Sequence, residues 1–76
     1  MVTSSKDFGR AIAAARRGLG LTQRDLALAI GAGERFIVEL EGGKPTAQLG
    51  KAIDAARAVG LRLTLQALGA GGEARP

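Results

Sequence analysis

The chain has 76 residues and a formal charge of +4, eleven Lys and Arg against seven Asp and Glu, so one small basic domain is expected. It has no Cys and no His, which excludes a disulfide framework, the usual zinc ligand sets and the commonest general base. No apolar run approaches the ~18 residues of a membrane span, and MVTSSKDF lacks the regions of a signal peptide, so a reducing cytoplasm is the expected location.

Residues 1–4 read as a flexible start, with Ser4 placed to cap a first helix reaching about Arg17. Asp7, three residues on, fits a variant capping box and complements the helix dipole. Phe8, Ala11, Ile12 and Ala15 form the inner stripe, and Gly9 inside it counts as a slight weakening. Gly18-Leu19-Gly20-Leu21 predicts a turn. Thr22 then caps a second helix over 23–30, with Asp25 at its third position.

Gly31 ends that helix where the chain must take positive φ, which glycine does without steric cost. About three residues, Gly31-Ala32-Gly33, lead into a third helix over 34–41. Ala27 is small, as needed where two helices cross closely, and Leu26, Ile30, Ile37 and Leu40 put apolar groups on both inner faces. This is the residue pattern of a helix-turn-helix. Phe36 is expected in the core and Val38 nearer solvent. Gly42-Gly43-Lys44-Pro45 breaks the chain, and Thr46 is placed to cap a fourth helix reaching about Val59. Its stripe is Leu49, Ala52, Ile53, Ala56 and Val59, and Gly60 followed by an apolar residue fits a Schellman ending. Gly50, like Gly9, falls inside a predicted helix.

The period then changes to two. Leu61, Leu63 and Leu65 alternate with Arg62, Thr64 and Gln66, which predicts a short strand over 61–66; a fifth short helix or a disordered tail competes. No second strand is visible to pair with it, so the economical partner is its own copy across a two-fold axis. The expected architecture is all-α, four helices with a C-terminal strand joining a homodimer, in one unit over 5–66. Residues 69–76, GAGGEARP, have the composition of a disordered end.

Residues 8–66, with GLTQRDLALAIGAGERFIVELEGGK as core signature, resemble the Xre-like, lambda-repressor-like helix-turn-helix family. More narrowly, ERFIVELEGGKPT followed by one helix and GLRLTL is similar to HipB-type (Y4mF-like) antitoxins. The resemblance implies a repressor of its own operon that binds a palindromic double-stranded operator as a homodimer. It also implies a HipA-like kinase toxin as partner.

Residue by residue, the resemblance puts Thr22 and Gln23 against the phosphate backbone, where helix N-termini attract anions. Thr22 also reads as a plain cap, and both roles can hold. Gly33, Glu34, Arg35 and Glu39 match positions that face base edges when the third helix lies in the major groove. Arg35 is the candidate for guanine O6 and N7, a contact that gives about 1–3 kcal/mol of discrimination. Gly33 stands where relatives have Ser or Thr, and Glu34 and Glu39 bring two carboxylates towards a polyanion. Glu39 reads equally as an i,i+4 partner of Arg35. Arg16 and Glu41 correspond to a pair that ties the first helix to the end of the third and orients it. Lys44 matches a backbone-contacting loop. Arg17, Lys51 and Arg10 add charge that reads as phosphate contact or as solvated surface.

Three function classes remain to be weighed. The first is a DNA-binding repressor, either with a toxin partner or as a stand-alone regulator. The second is mainly a protein-capturing module. The third, an enzyme, has little support: Glu39 and Glu41, two apart, point to different helix faces, and no nucleophile–base set, glycine-rich phosphate motif or cofactor site is visible.

Overall fold

Side-chain caps set where the first two helices begin. The structure, a computed structural model, describes residues 2–64. Ser4 takes an extended conformation and its hydroxyl accepts from the Asp7 N–H, opening α1, Ser5–Gly18. The Asp7 carboxylate does not return to Ser4 as a capping box would require. It accepts instead from the N–H and hydroxyl of Thr3, at 3.2 and 3.0 Å, so Thr3 and Ser4 within the expected flexible start are both tied to it. At α2, Gln23–Ile30, the box is complete: Thr22 Oγ accepts from the Asp25 N–H at 3.0 Å, and the Asp25 carboxylate accepts from the Thr22 N–H at 2.9 Å. The bond from the Thr22 N–H, with the Thr22 hydroxyl beside it, holds the Asp25 carboxyl below its ordinary pKa. Thr22→Ala is expected to lower stability by about 1 kcal/mol, read as the shift in a urea melt. An unchanged midpoint would show the cap to be dispensable.

Helix α3, Glu34–Glu41, follows the turn Gly31-Ala32-Gly33, with Gly31 at φ 69°. Gly33 caps it with no side-chain bond, in keeping with the missing hydroxyl. Its carboxyl end closes as a Schellman motif: the Lys44 N–H donates to the Glu39 carbonyl and the Gly43 N–H to that of Leu40. The Gly60 ending has the same form, with the Leu61 N–H donating to the Ala56 carbonyl at 2.9 Å.

The fourth helix departs from expectation. It runs Leu49–Ala58, and the residue before it is Gln48, not Thr46; Gln48 makes no side-chain cap bond. Residues 45–47 form a turn that seats Ala47 against the core, which delays the helix start. Leu49 therefore lies at the helix entrance and is exposed, not part of the stripe. Ala52, Ala55, Ala56 and Val59 carry the buried face.

Helix α3 packs on both α1 and α2, and α4 packs on α2. Ile12, Leu26 and Ile37 are the large side chains fully enclosed where these helices meet, with Ala27 and Leu40 beside them. Phe36 is half-buried against this cluster and Val38 is exposed. Gly9 is not a weak point but a contact surface. A Cβ there would stand 2.6 Å from the Glu41 carbonyl oxygen, so the missing side chain is what lets α1 lie against the end of α3. No strand occurs among the described residues. Of the expected strand, 61–64 are described and pair as a strand with no other described residues, while Leu65 and Gln66, like the expected tail 69–76, lie outside the described residues.

Candidate nucleic-acid interface

Two polar networks sit at the two faces of α3. On the inner side, Glu41 accepts from Arg16 Nε at 2.6 Å and Arg16 Nη2 at 2.9 Å, a fork-to-fork contact between α1 and the last residue of α3. The remaining arm of the guanidinium donates to the Leu21 carbonyl at 2.8 Å, and Gln23 Nε2 donates to Glu41 at 3.0 Å. Both charged side chains are nearly enclosed, 9% and 6% exposed. Burial pushes the Glu41 carboxyl up, but hydrogen bonds from Arg16 and Gln23, with the charges of Arg16 and Arg17, outweigh it and leave the pKa lowered. The bonds that Arg16 donates to Glu41 likewise raise its own pKa. The network joins α1, the turn before α2, α2 itself and α3, so the pitch of α3 is set from three sides.

On the outer side, Glu34, Arg35 and Val38 are exposed and Glu39 is partly so. Here Glu39 is shared: Lys44 Nζ donates to Oε1 at 3.0 Å and Arg35 Nε to Oε2 at 3.4 Å. The hydrogen bond from Lys44, aided by Arg35, holds the Glu39 carboxyl below its ordinary pKa against a smaller opposing effect of desolvation. Glu39 and Glu41 thus face different neighbours, one outward and one inward.

The structure brings Arg16, Gln23 and Glu41 together, and separately Arg35, Glu39 and Lys44. Thr22 and Arg17 are exposed at the ends of α2 and α1 and join neither set by hydrogen bond. Gly33 and Glu34 begin α3 in solvent. Arg10 lies 3.6 Å from Asp7, and Lys51 is exposed on α4. Leu61 packs on the core, Leu63 is exposed, and Leu65 lies outside the described residues.

Three contacts escaped the sequence. The Gln23–Glu41 and Arg16–Leu21 bonds link elements whose approach no spacing rule encodes. The Lys44–Glu39 pair lies at i,i+5, a separation that an unbroken helix does not bring together. Its signal was Gly43, whose positive φ of 90° folds the chain back after α3.

The chain is 38% identical over 68 residues, 90% of each chain, to the uncharacterised HTH-type transcriptional regulator y4mF of Sinorhizobium fredii (strain NBRC 101917 / NGR234). The chain belongs to the HTH-type transcriptional regulators. No family model matches this regulator. Among solved structures, it superposes on a HipA-HipB-O2-O3 complex and on a HipB-O4 20mer complex. Each match has a TM-score of 0.79 at 24% identity, covering 87% of this regulator and 93% of the other chain. That likeness establishes a HipB-like fold, with four helices among the described residues. No helix among its described residues is long and apolar enough to cross a membrane, and no group of three or more acidic residues there is arranged to hold a metal ion.

Proposed function

We propose that this regulator is a sequence-specific, double-stranded-DNA-binding repressor of the HipB antitoxin type. It acts without catalysis or cofactor, in the cytoplasm. One observation carries the reading. Helix α3 follows a three-residue turn from α2, is anchored on its inner side by the Arg16–Glu41 pair, and leaves Glu34 and Arg35 exposed on the other. A helix so held can lie in a major groove with its N-terminal side chains at base edges.

In this reading Arg35 meets guanine, and Gly33, Glu34 and Glu39 stand at the neighbouring positions. Thr22, Gln23, Lys44 and Arg17 serve the phosphates. The Gln23 amide already donates to Glu41 and the Thr22 N–H to Asp25, so Gln23 acts mainly through its own backbone N–H and the dipole at the start of α2, and Thr22 through its hydroxyl. Arg35→Ala is expected to relax base preference by about 1–3 kcal/mol at one position per half-site. Lys44→Ala is expected to act mainly by weakening binding to every duplex and lowering the salt slope by about 1. Titrations by fluorescence anisotropy at several salt concentrations separate the two. If neither change alters binding, the contact assignment is wrong.

The working unit in this proposal is residues 5–66 as a homodimer. Leu61, Leu63 and Leu65 form a strand paired with the same strand of a second copy. The two α3 helices then meet successive major grooves roughly 34 Å apart on a palindromic operator. Exposed Val2, Leu49 and Leu63 border one apolar groove beside the 61–64 segment, which supports burial there in a second copy. A HipA-like kinase toxin is the proposed protein partner, by analogy with the HipA-HipB-O2-O3 complex. Copurification with the product of an adjacent kinase-fold gene tests it. A stand-alone regulator is the second reading, favoured by the y4mF relative, whose designation is a transcriptional regulator.

A further inference from the structure

The outer network of α3 has more order than a solvated surface requires. Lys44 is attached to Glu39 twice, by its backbone N–H to the Glu39 carbonyl and by Nζ to the carboxylate, both at 3.0 Å. The loop that carries Lys44 is itself fixed. Gly43 is buried, and a Cβ on it would meet Lys6 of α1 at 2.7 Å. The Glu39 carboxylate therefore has one oxygen held from a rigid turn and the other, Oε2, turned to Arg35.

Arg35 meets that oxygen through Nε, at 3.4 Å, and its side chain is otherwise 90% exposed. A guanidinium has five N–H donors in one plane. With Nε engaged, the two terminal nitrogens remain available end-on, and a pair of parallel donors is what guanine O6 and N7 accept. Immobilising a long side chain at a contact costs about 0.5–1.5 kcal/mol when it is free beforehand. A buttress formed in the unbound protein reduces that cost and constrains the plane of the fork.

We propose that Glu39 is a positioning residue for Arg35: Lys44 holds Glu39, and Glu39 holds the guanidinium end-on to the guanine it reads. This rests on the DNA-binding reading above. It gives the second carboxylate of α3 a purpose other than accepting from a base. On an operator the buttress stays intact while Arg35 reads guanine.

The test begins with selection of bound duplexes from random DNA by the wild-type protein. Affinities of the wild type, Glu39→Gln, Arg35→Ala and the double variant are then measured on the selected duplex and on duplexes with each guanine replaced in turn. Thermal melts of every variant accompany them. Glu39→Gln is expected to melt as the wild type does and to lose roughly threefold of the discrimination at the guanine that Arg35 reads, the size of an exposed ion pair. In the Arg35→Ala background the same change should cost no further discrimination there. Full wild-type discrimination in Glu39→Gln, with loss in Arg35→Ala, overturns the buttress and leaves the DNA reading standing. An undiminished Glu39→Gln effect in the Arg35→Ala background also overturns it, because Glu39 would then read a base directly. If the wild type enriches no sequence, the DNA reading itself falls, and this inference with it.

Discussion

Glu41→Ala is expected to lose about 3–5 kcal/mol of folding stability at neutral pH, because it strands the Arg16 guanidinium in an enclosed site. A core in a chain this short rarely supplies more than about 3–5 kcal/mol, so the variant should be largely unfolded at room temperature by circular dichroism. The loss comes from the unpaired charge and not from the worth of the ion pair. Replacing both partners, as Arg16→Met with Glu41→Leu, should therefore restore much of the stability. Loss of less than 1 kcal/mol in the single variant would mean that water reaches the pair.

The same network sets an acid limit. The folded Glu41 carboxyl has a pKa below the ordinary value of 4.5, so the unfolded chain binds its proton first as pH falls. The stabilisation is complete above about pH 4.5 and is lost as pH drops through the lower folded value. Urea midpoints measured from pH 6 downward should stay level and then fall. A fall that persists in the Arg16→Met, Glu41→Leu variant would assign it to other carboxylates.

Gly9→Ala is the second large effect, and its sign opposes helix propensity. In an exposed helix the change is favourable by up to about 1 kcal/mol. Here the new methyl would meet the carbonyl oxygens of Leu40 and Glu41, which belong to the backbone and cannot rotate away. Helix α1 must move from α3, at an expected cost of about 1–3 kcal/mol. Gly50→Ala is the matched control, since a Cβ there meets nothing within 4 Å, and it should be neutral to stabilising. Equal midpoints for the two variants would show that α1 does not depend on this close approach. Because Arg16 lies on the same helix, Gly9→Ala should also weaken any DNA binding more than its residual fold predicts.

Local chemistry made most of the architecture legible from residue order alone. The Thr22 box, the positive φ at Gly31, the ending at Gly60 and the apolar spacing of α1 to α3 involve groups within a few residues of each other, so one chain segment contains the whole cause. Where cause and effect lay apart, the reading failed or was incomplete. Thr46 is a competent cap, but the turn at 45–47 and the seat of Ala47 on the core moved the start of α4 to Leu49. Gly9 carries a propensity penalty in any helix; only the backbone of α3 beside it turns that penalty into a requirement.

The candidate interface divides along the same line. That α3 would expose Glu34 and Arg35 follows from the positions of Ile37 and Leu40, because a helix with one apolar face turns the other to water. That Glu41 turns inward to Arg16 is carried by the family resemblance, whereas Gln23 as a further partner of Glu41, and Lys44 as a partner of Glu39, are not. Such partners are chosen when helices pack and a turn folds back, a three-dimensional event that no spacing rule along the chain contains.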